Sequence, residues 1–256
     1  MPFRKQCALR AAVGVSWPRA LGEAAKAKIV EELIRIRLLQ RYRSDNVVGP
    51  RITEIMRMDP SDVAQGISSA DPRSIPSNPE FVSSGWSEHM LLRYLLALEH
   101  STNARVLDSC SGLGWGSHLL ASVSRDVVGI DQDAASIAFC TRQWERPNLH
   151  FRVGSVLELP FDDESFDVVL CMDSIEHFTR ADGLQYLAEL ARVCRRGGHL
   201  FGSSAFPETR WGAERLCKGN PHHLYLYTRE EMRTVLEASF GRARRVTRHY
   251  FQAVKA

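Results

Sequence analysis

No apolar run in this chain approaches the ~20 residues that a membrane-crossing helix needs, which excludes a bilayer-spanning reading. Paired cysteine spacing is also missing. The six cysteines, Cys7, Cys110, Cys140, Cys171, Cys194 and Cys217, form no Cys-x-x-Cys pair and have no histidine at ligand spacing. They read as reduced thiols of a cytoplasmic protein, and no metal is expected. Charge of one sign is scarce too. A formal net charge of +3 is too small to imply nucleic acid, although basic residues gather at Lys26, Lys28, Arg35, Arg37, Arg41 and Arg43 and again at Arg242, Arg244, Arg245 and Arg248. No aromatic residues interleave them as an RNA surface would require, so solvated faces are the expectation. The first twenty residues hold Arg4, Lys5, Arg10 and Arg19 but no acid; a frayed terminus suits them better than a transit peptide.

What is present is the composition of an ordinary α/β protein: 256 residues, 44% apolar and 25% charged. Residues 21–42 carry apolar side chains at Ile29, Val30, Leu33, Ile34, Ile36 and Leu38 between basic ones, which predicts an amphipathic helix. A shorter helix is expected from Ile52 to Met58, then a linker marked by Pro60, Pro72, Pro76 and Pro79. Ser87 to His100 repeats leucine at helical spacing. The division expected is a helical extension and linker over 1–77 and a main domain over 78–256.

That domain opens on its most informative stretch, Val106 to Ser117, read as a buried strand ending in Asp108, a glycine-rich turn and a helix start. Gly112, Gly114 and Gly116 let main chain approach a ligand without a Cβ in the way. The following helix turns free N–H groups and its positive dipole end toward that ligand. Asp126 to Asp131 forms a second strand ending in an acid, and Asp131 can accept hydrogen bonds from both hydroxyls of a ribose. Nicotinamide dinucleotides and S-adenosylmethionine both suit this geometry. The third glycine of the dinucleotide fingerprint is absent, and Ser117 stands in its place.

The spacing Asp108-x-x-x-Gly112-x-Gly114 resembles the first motif of class I S-adenosylmethionine-dependent methyltransferases. Three later stretches agree in order: Gly154-Ser155-Val156 with Leu159-Pro160-Phe161; Ser165 to Cys171 running into Asp173-Ser174-Ile175-Glu176-His177-Phe178; and Arg192 to Leu200. The resemblance implies a Rossmann-like fold, a mainly parallel seven-stranded sheet with helices on both faces, here with an N-terminal helical extension. It implies S-adenosyl-L-methionine held by Asp108, Ser109, Gly112, Gly114, Trp115, Asp131, Gln132, Ser155, Val156 and Asp173. Cys110 stands where many members have glycine, and Ser155 where the usual acid would hold the adenine amino group. Glu88-His89 followed by Arg93-Tyr94, together with Asn220-Pro221-His222-His223, is similar to a subgroup associated with glycan or surface-polysaccharide biosynthesis. That likeness covers roughly 78–256.

Methyl transfer to oxygen needs alignment and a proton acceptor. His177, just past the fourth strand, is the candidate base, with Glu176 to orient it and His223 or His222 of the segment Phe206 to Tyr227 as rivals. The expected reaction is methylation of a small-molecule or glycan acceptor, at a hydroxyl, with no DNA partner because the Asn/Asp-Pro-Pro-aromatic clamp is lacking. Open alternatives are a nicotinamide oxidoreductase, a catalytically silent cofactor-binding protein, and a protein or RNA methyltransferase that uses the basic residues 26–43.

Overall fold

A computed structural model describes residues 36–61 and 75–256. Of the helix expected over 21–42, residues 36–43 are helical; the remainder, with Lys26, Lys28, Arg35 and the terminal segment 1–20, lies outside the described residues. The elements that follow are α1 (Val48–Ile55), α2 (Pro79–Ser84), α3 (Trp86–Ser101), β1 (Arg105–Ser109), α4 (Trp115–Leu120), β2 (Asp126–Asp131), α5 (Ala134–Gln143), β3 (Leu149–Val153) and β4 (Phe166–Met172). A 3₁₀ turn (Ile175–His177), α6 (Arg180–Val193), β5 (Cys194–Ser203), α7 (Arg210–Gly219), α8 (Arg229–Phe240), β6 (Gly241–Val246) and β7 (Tyr250–Lys255) complete the chain.

Seven strands lie in the order β3-β2-β1-β4-β5-β7-β6, with β7 antiparallel to both of its neighbours and all other pairs parallel. Strand alternation divides the core into two layers. Val106, Val127, Val168 and Leu170 face Leu91, Leu95 and Leu98 of α3 and Leu119 of α4. Leu107, Val128, Val169 and Leu200 face Leu187 and Leu190 of α6 and Leu236 and Phe240 of α8. Ile52 and Ile55 of α1 join the first layer, so the described part of the extension packs onto the sheet domain.

Two helices occupy stretches read from sequence as irregular. α2 begins at Pro79 inside the expected linker, where Asn78 accepts the Glu80 N–H and Pro79 sits at the first helical position. α7 lies in the segment given no period, opened by Thr209, whose hydroxyl accepts the Gly212 N–H at 3.1 Å. The capping box expected at Thr228 and Glu231 is formed in both directions.

Candidate active site

The pairing register of β1 and β2 decides where the two strand-end acids point. Asp108 stands opposite Gly129, and Asp131, two residues further along β2, shares that face. Both carboxylates therefore lie on one face at the carboxyl ends of β1 and β2, Asp131 partly exposed and Asp108 buried. The turn between them carries positive φ at Cys110 (54°), Gly112 (52°) and Gly114 (69°). This accounts for glycine at the second and third of these positions; Cys110 holds a backbone that favours glycine. A Cβ on Gly112 would meet nothing within 4 Å, whereas one on Gly114 would come within 2.6 Å of the Phe151 ring. Main chain is thus open to a ligand at Gly112 and closed by packing at Gly114. Trp144 Nε1 donates to the Leu113 carbonyl at 2.7 Å, and Ser111 N–H donates to the Ile130 carbonyl at 3.0 Å, which fixes the turn from both sides.

Asp131 is held ready. The Gly112 N–H donates to Oδ2 at 2.9 Å and the Asp133 N–H to Oδ1 at 3.0 Å. Each oxygen keeps a second lone pair, which is what two ribose hydroxyls require. Gln132 follows it and is exposed. Ser111 Oγ, buried and without a hydrogen-bond partner among the described residues, lies beside the same turn. An open backbone cradle, an unused hydroxyl and a preoriented carboxylate fit an adenosyl ligand.

Asp108 differs in being fully buried. Ser117 Oγ donates to it at 2.6 Å and Tyr94 OH at 3.3 Å. Burial, with the Asp131 charge adding to it, pushes its carboxyl up to about 7 against the two hydrogen bonds. A folded carboxyl that holds its proton more tightly than the unfolded one loses stability as pH rises. Its contribution is intact below the unfolded value of 3.8 and gone above about 7. A sulfonium and an ammonium beside Asp108 would favour its ionised form. Binding of S-adenosylmethionine is therefore expected to release a proton near pH 6 and to tighten from pH 5 to 8. Calorimetric titrations in two buffers of different ionisation enthalpy measure this, and Asp108→Asn should remove most of the difference.

Other expected residues are placed as follows. Ser109 is the neighbour of Asp108 on a strand, so its side chain faces the opposite layer, where its hydroxyl bonds Leu170 O and Tyr186 OH. Trp115 is buried against Tyr94, with ring centroids 4.8 Å apart, and serves packing. Val156 belongs to the second core layer, and exposed Ser155 accepts the Leu157 N–H through its own hydroxyl. Asp173, at φ 46°, accepts from Ser203 Oγ at 2.9 Å and pairs with the buried Arg93 guanidinium. Burial lowers Arg93 to about 10 despite the nearby Glu176 charge.

Arg93 and Tyr94 are the residues that sequence reasoning left without a role. Both come from α3, which crosses the sheet edge, and a Cβ on Gly116 would strike the Tyr94 ring. The glycine at 116 thus seats the tyrosine on Asp108.

Past β4 the structure gathers the remaining candidates. Glu176, His177 and His223 each offer a ligand-type atom, all within 4.8 Å of one another. His177 Nδ1 donates to the His222 carbonyl at 2.9 Å, leaving the lone pair on Nε2. Its ring is exposed and stands 5.5 Å, centroid to centroid, from that of His223. Burial and the adjacent His177 and His222 rings lower the His223 pKa. Glu176 is buried, and desolvation raises it to about 7. Its carbonyl receives the Leu224 N–H at 2.8 Å, which ties the 206–227 segment to the end of β4.

Comparison with known proteins agrees with this geometry. Residues 107–202 match a family described as a methyltransferase domain. A Mycolicibacterium smegmatis protein bearing the name of an S-adenosylmethionine-dependent methyltransferase is 31% identical over 65% of this chain and 62% of its own length. A fatty-acid O-methyltransferase of the same organism is 37% identical over 46% of this chain and 45% of its own. The chain thus spans 62% and 45% of the length of these two relatives. Among solved structures, an S-adenosylmethionine-dependent methyltransferase from Methanosarcina mazei superposes with a TM-score of 0.50 at 17% identity, covering 62% of this chain and 94% of that one. With strand order, glycine turn and strand-end acids already in place, the match over 107–202 places the signature of a methyltransferase domain on the part of the chain that carries them.

Proposed function

We propose that residues 78–256 transfer a methyl group from S-adenosylmethionine to an oxygen of a small, partly apolar acceptor. The observation that carries this reading is the His177 ring, exposed at the end of β4 with its Nδ1 proton fixed and its Nε2 lone pair free. When bound, the cofactor supplies an electrophilic methyl carbon on a sulfonium. Asp131 holds the ribose, and the Gly112 main chain and Asp108 lie along the amino acid moiety. Asp173, fixed by Arg93 and Ser203, presents charge toward the amino group. The acceptor oxygen forms the new C–O bond, its proton passes to His177 Nε2, and the C–S electron pair remains on sulfur. Glu176 and His223 orient the acceptor beside that ring.

An apolar component of the acceptor is supported by the segment 206–227, which folds back on the end of β4 as a covering segment and in which Trp211 (69%), Leu216 (47%) and Leu224 (58%) are exposed. Relatives that include a fatty-acid O-methyltransferase point the same way. The described part of the basic stretch 26–43 gives no comparable support to a protein or RNA acceptor, because Arg41 and Arg43 pair with Glu99 and Glu88 of α3. Incubation with methyl-labelled S-adenosylmethionine and a panel of fatty acids, long-chain alcohols and oligosaccharides tests the reading by mass spectrometry. Label is expected in a long-chain alcohol, whose hydroxyl has a proton to give to His177; label in a fatty acid, already ionised at neutral pH, would keep the apolar acceptor but remove His177 as its base. Label only in oligosaccharides would move the acceptor to the glycan class, and label only in protein or RNA would overturn the reading.

A further inference from the structure

The cluster past β4 has the donor set of a cation site as well as that of a proton relay. Two imidazoles and one carboxylate converge, with their ligand atoms within 4.8 Å of one another. Glu176 and His177 are consecutive on the 3₁₀ turn, while His223 arrives from the covering segment. Cysteine spacing gave no hint of it, because none of the three is a cysteine and His223 is far in sequence from the other two.

A second observation singles out the carboxylate. Glu176 is 5% exposed, and its Oε2 has no hydrogen-bond partner among the described residues. Ser204 Oγ, beside it, is likewise without a well-formed hydrogen bond. Buried carboxylates are normally paired or bound to metal, so a buried carboxylate with an unused oxygen that converges with two imidazoles calls for a partner. The histidines are set up to share that partner. The bond from His177 Nδ1 to the His222 carbonyl leaves Nε2 as the lone-pair nitrogen, the way a backbone carbonyl orients a metal-bound imidazole. Asn220 holds the His223 ring in the opposite sense. Its Oδ1 accepts the His222 N–H at 3.0 Å, which directs its Nδ2 to donate to His223 Nε2 at 2.9 Å. A cation at His223 Nε2 therefore takes the place of that amide donor, and the Asn220 side chain turns away on binding.

We infer that Glu176, His177 and His223 bind one divalent first-row transition cation of the Zn²⁺ class, with a coordination position left open for the acceptor oxygen. Three protein ligands with an open position is the pattern of catalytic rather than structural sites. Metal–ligand bonds of about 2.1 Å place tetrahedral ligands ~3.4 Å apart, so the group closes by roughly 1 Å on binding. Local charge is compatible. Arg93 balances Asp173, Glu176 offsets one charge of the cation, and an ionised acceptor oxygen offsets the other. The open position rests on the methyl-transfer reading above, whereas cation binding itself does not. In the loaded protein the cation makes the acceptor oxygen nucleophilic in place of a free His177, and the acceptor proton leaves to solvent.

The test is titration of the chelator-treated full chain with Co²⁺, read by visible absorption and calorimetry, with Zn²⁺ as competitor. One Co²⁺ per chain is expected, with a d–d band that Zn²⁺ abolishes. His177→Ala and His223→Ala should each weaken Co²⁺ at least ~10-fold, while S-adenosylhomocysteine binding stays within twofold and shows that the fold is intact. Glu176→Gln keeps the shape of the buried side chain and should lose Co²⁺ affinity in the same way. Absence of Co²⁺ binding, or equal binding by wild type and both histidine variants, overturns the site. Co²⁺ binding without S-adenosylhomocysteine binding would instead remove the methyltransferase reading and leave the cation site standing.

Discussion

His177→Ala lowers kcat/KM for methyl transfer by about 10²–10⁴, the usual contribution of a positioned proton acceptor, and leaves S-adenosylhomocysteine affinity nearly unchanged. The split between the two readouts follows from placement. His177 is exposed beyond β4 and bonds the His222 carbonyl, whereas the proposed cofactor contacts lie at the ends of β1 and β2 and at Asp173, whose own partners Arg93 and Ser203 are untouched by the change. Loss of the ring removes the Nε2 lone pair that serves the acceptor, as its proton acceptor or as a ligand of the cation, and one tie of the covering segment. The Leu224 N–H bond to the Glu176 carbonyl remains. Steady-state kinetics with the acceptor found in the panel, alongside calorimetry, measures both quantities. Equal losses in activity and cofactor affinity would place His177 in the cofactor site instead.

Asp131→Ala weakens S-adenosylhomocysteine at least about tenfold, since two charge-assisted hydrogen bonds to ribose are lost. A second cost accompanies that loss. Asp131 also accepts the Gly112 and Asp133 N–H groups, so alanine unties the glycine turn from the end of β2. Asp131→Asn separates the two effects. Its amide keeps one acceptor oxygen, so it should retain part of the turn's order and part of the affinity. Calorimetry of both variants checks this, and undiminished affinity in Asp131→Ala would exclude the carboxylate from ribose binding.

The sheet and the glycine turn were legible because their physics is local. Strand-end acids, positive-φ glycines and buried apolar runs each carry a signature within a few residues, and the register then put Asp108 and Asp131 on one face as expected. Ser109 shows a rule left unapplied: strand neighbours point to opposite layers, so the side chains of Asp108 and Ser109 could not both face one ligand. Trp115 was placed near the cofactor by sequence adjacency alone, and it packs on Tyr94 in the core. The parts contributed by α3 were not legible. Arg93 and Tyr94 stood out as a motif, but no periodicity tells which strand end a preceding helix crosses, and the Arg93–Asp173 pair exists only in the tertiary structure. Caps would have found α2 and α7, through Asn78-Pro79 and Thr209, had the surrounding proline and glycine residues not been read as loop. The convergence of His223 with Glu176-His177 likewise depends on how the covering segment folds back on β4.

The central claim is that the edge of β1 and β2 is an adenosyl-sulfonium site. Calorimetric titration of the full chain with S-adenosylhomocysteine, and in parallel with NAD, tests it most directly. One molecule of S-adenosylhomocysteine per chain with no heat from NAD is the result expected from Asp108, Asp131 and the open main chain at Gly112. Binding of NAD, or no binding of S-adenosylhomocysteine by folded protein, would contradict it.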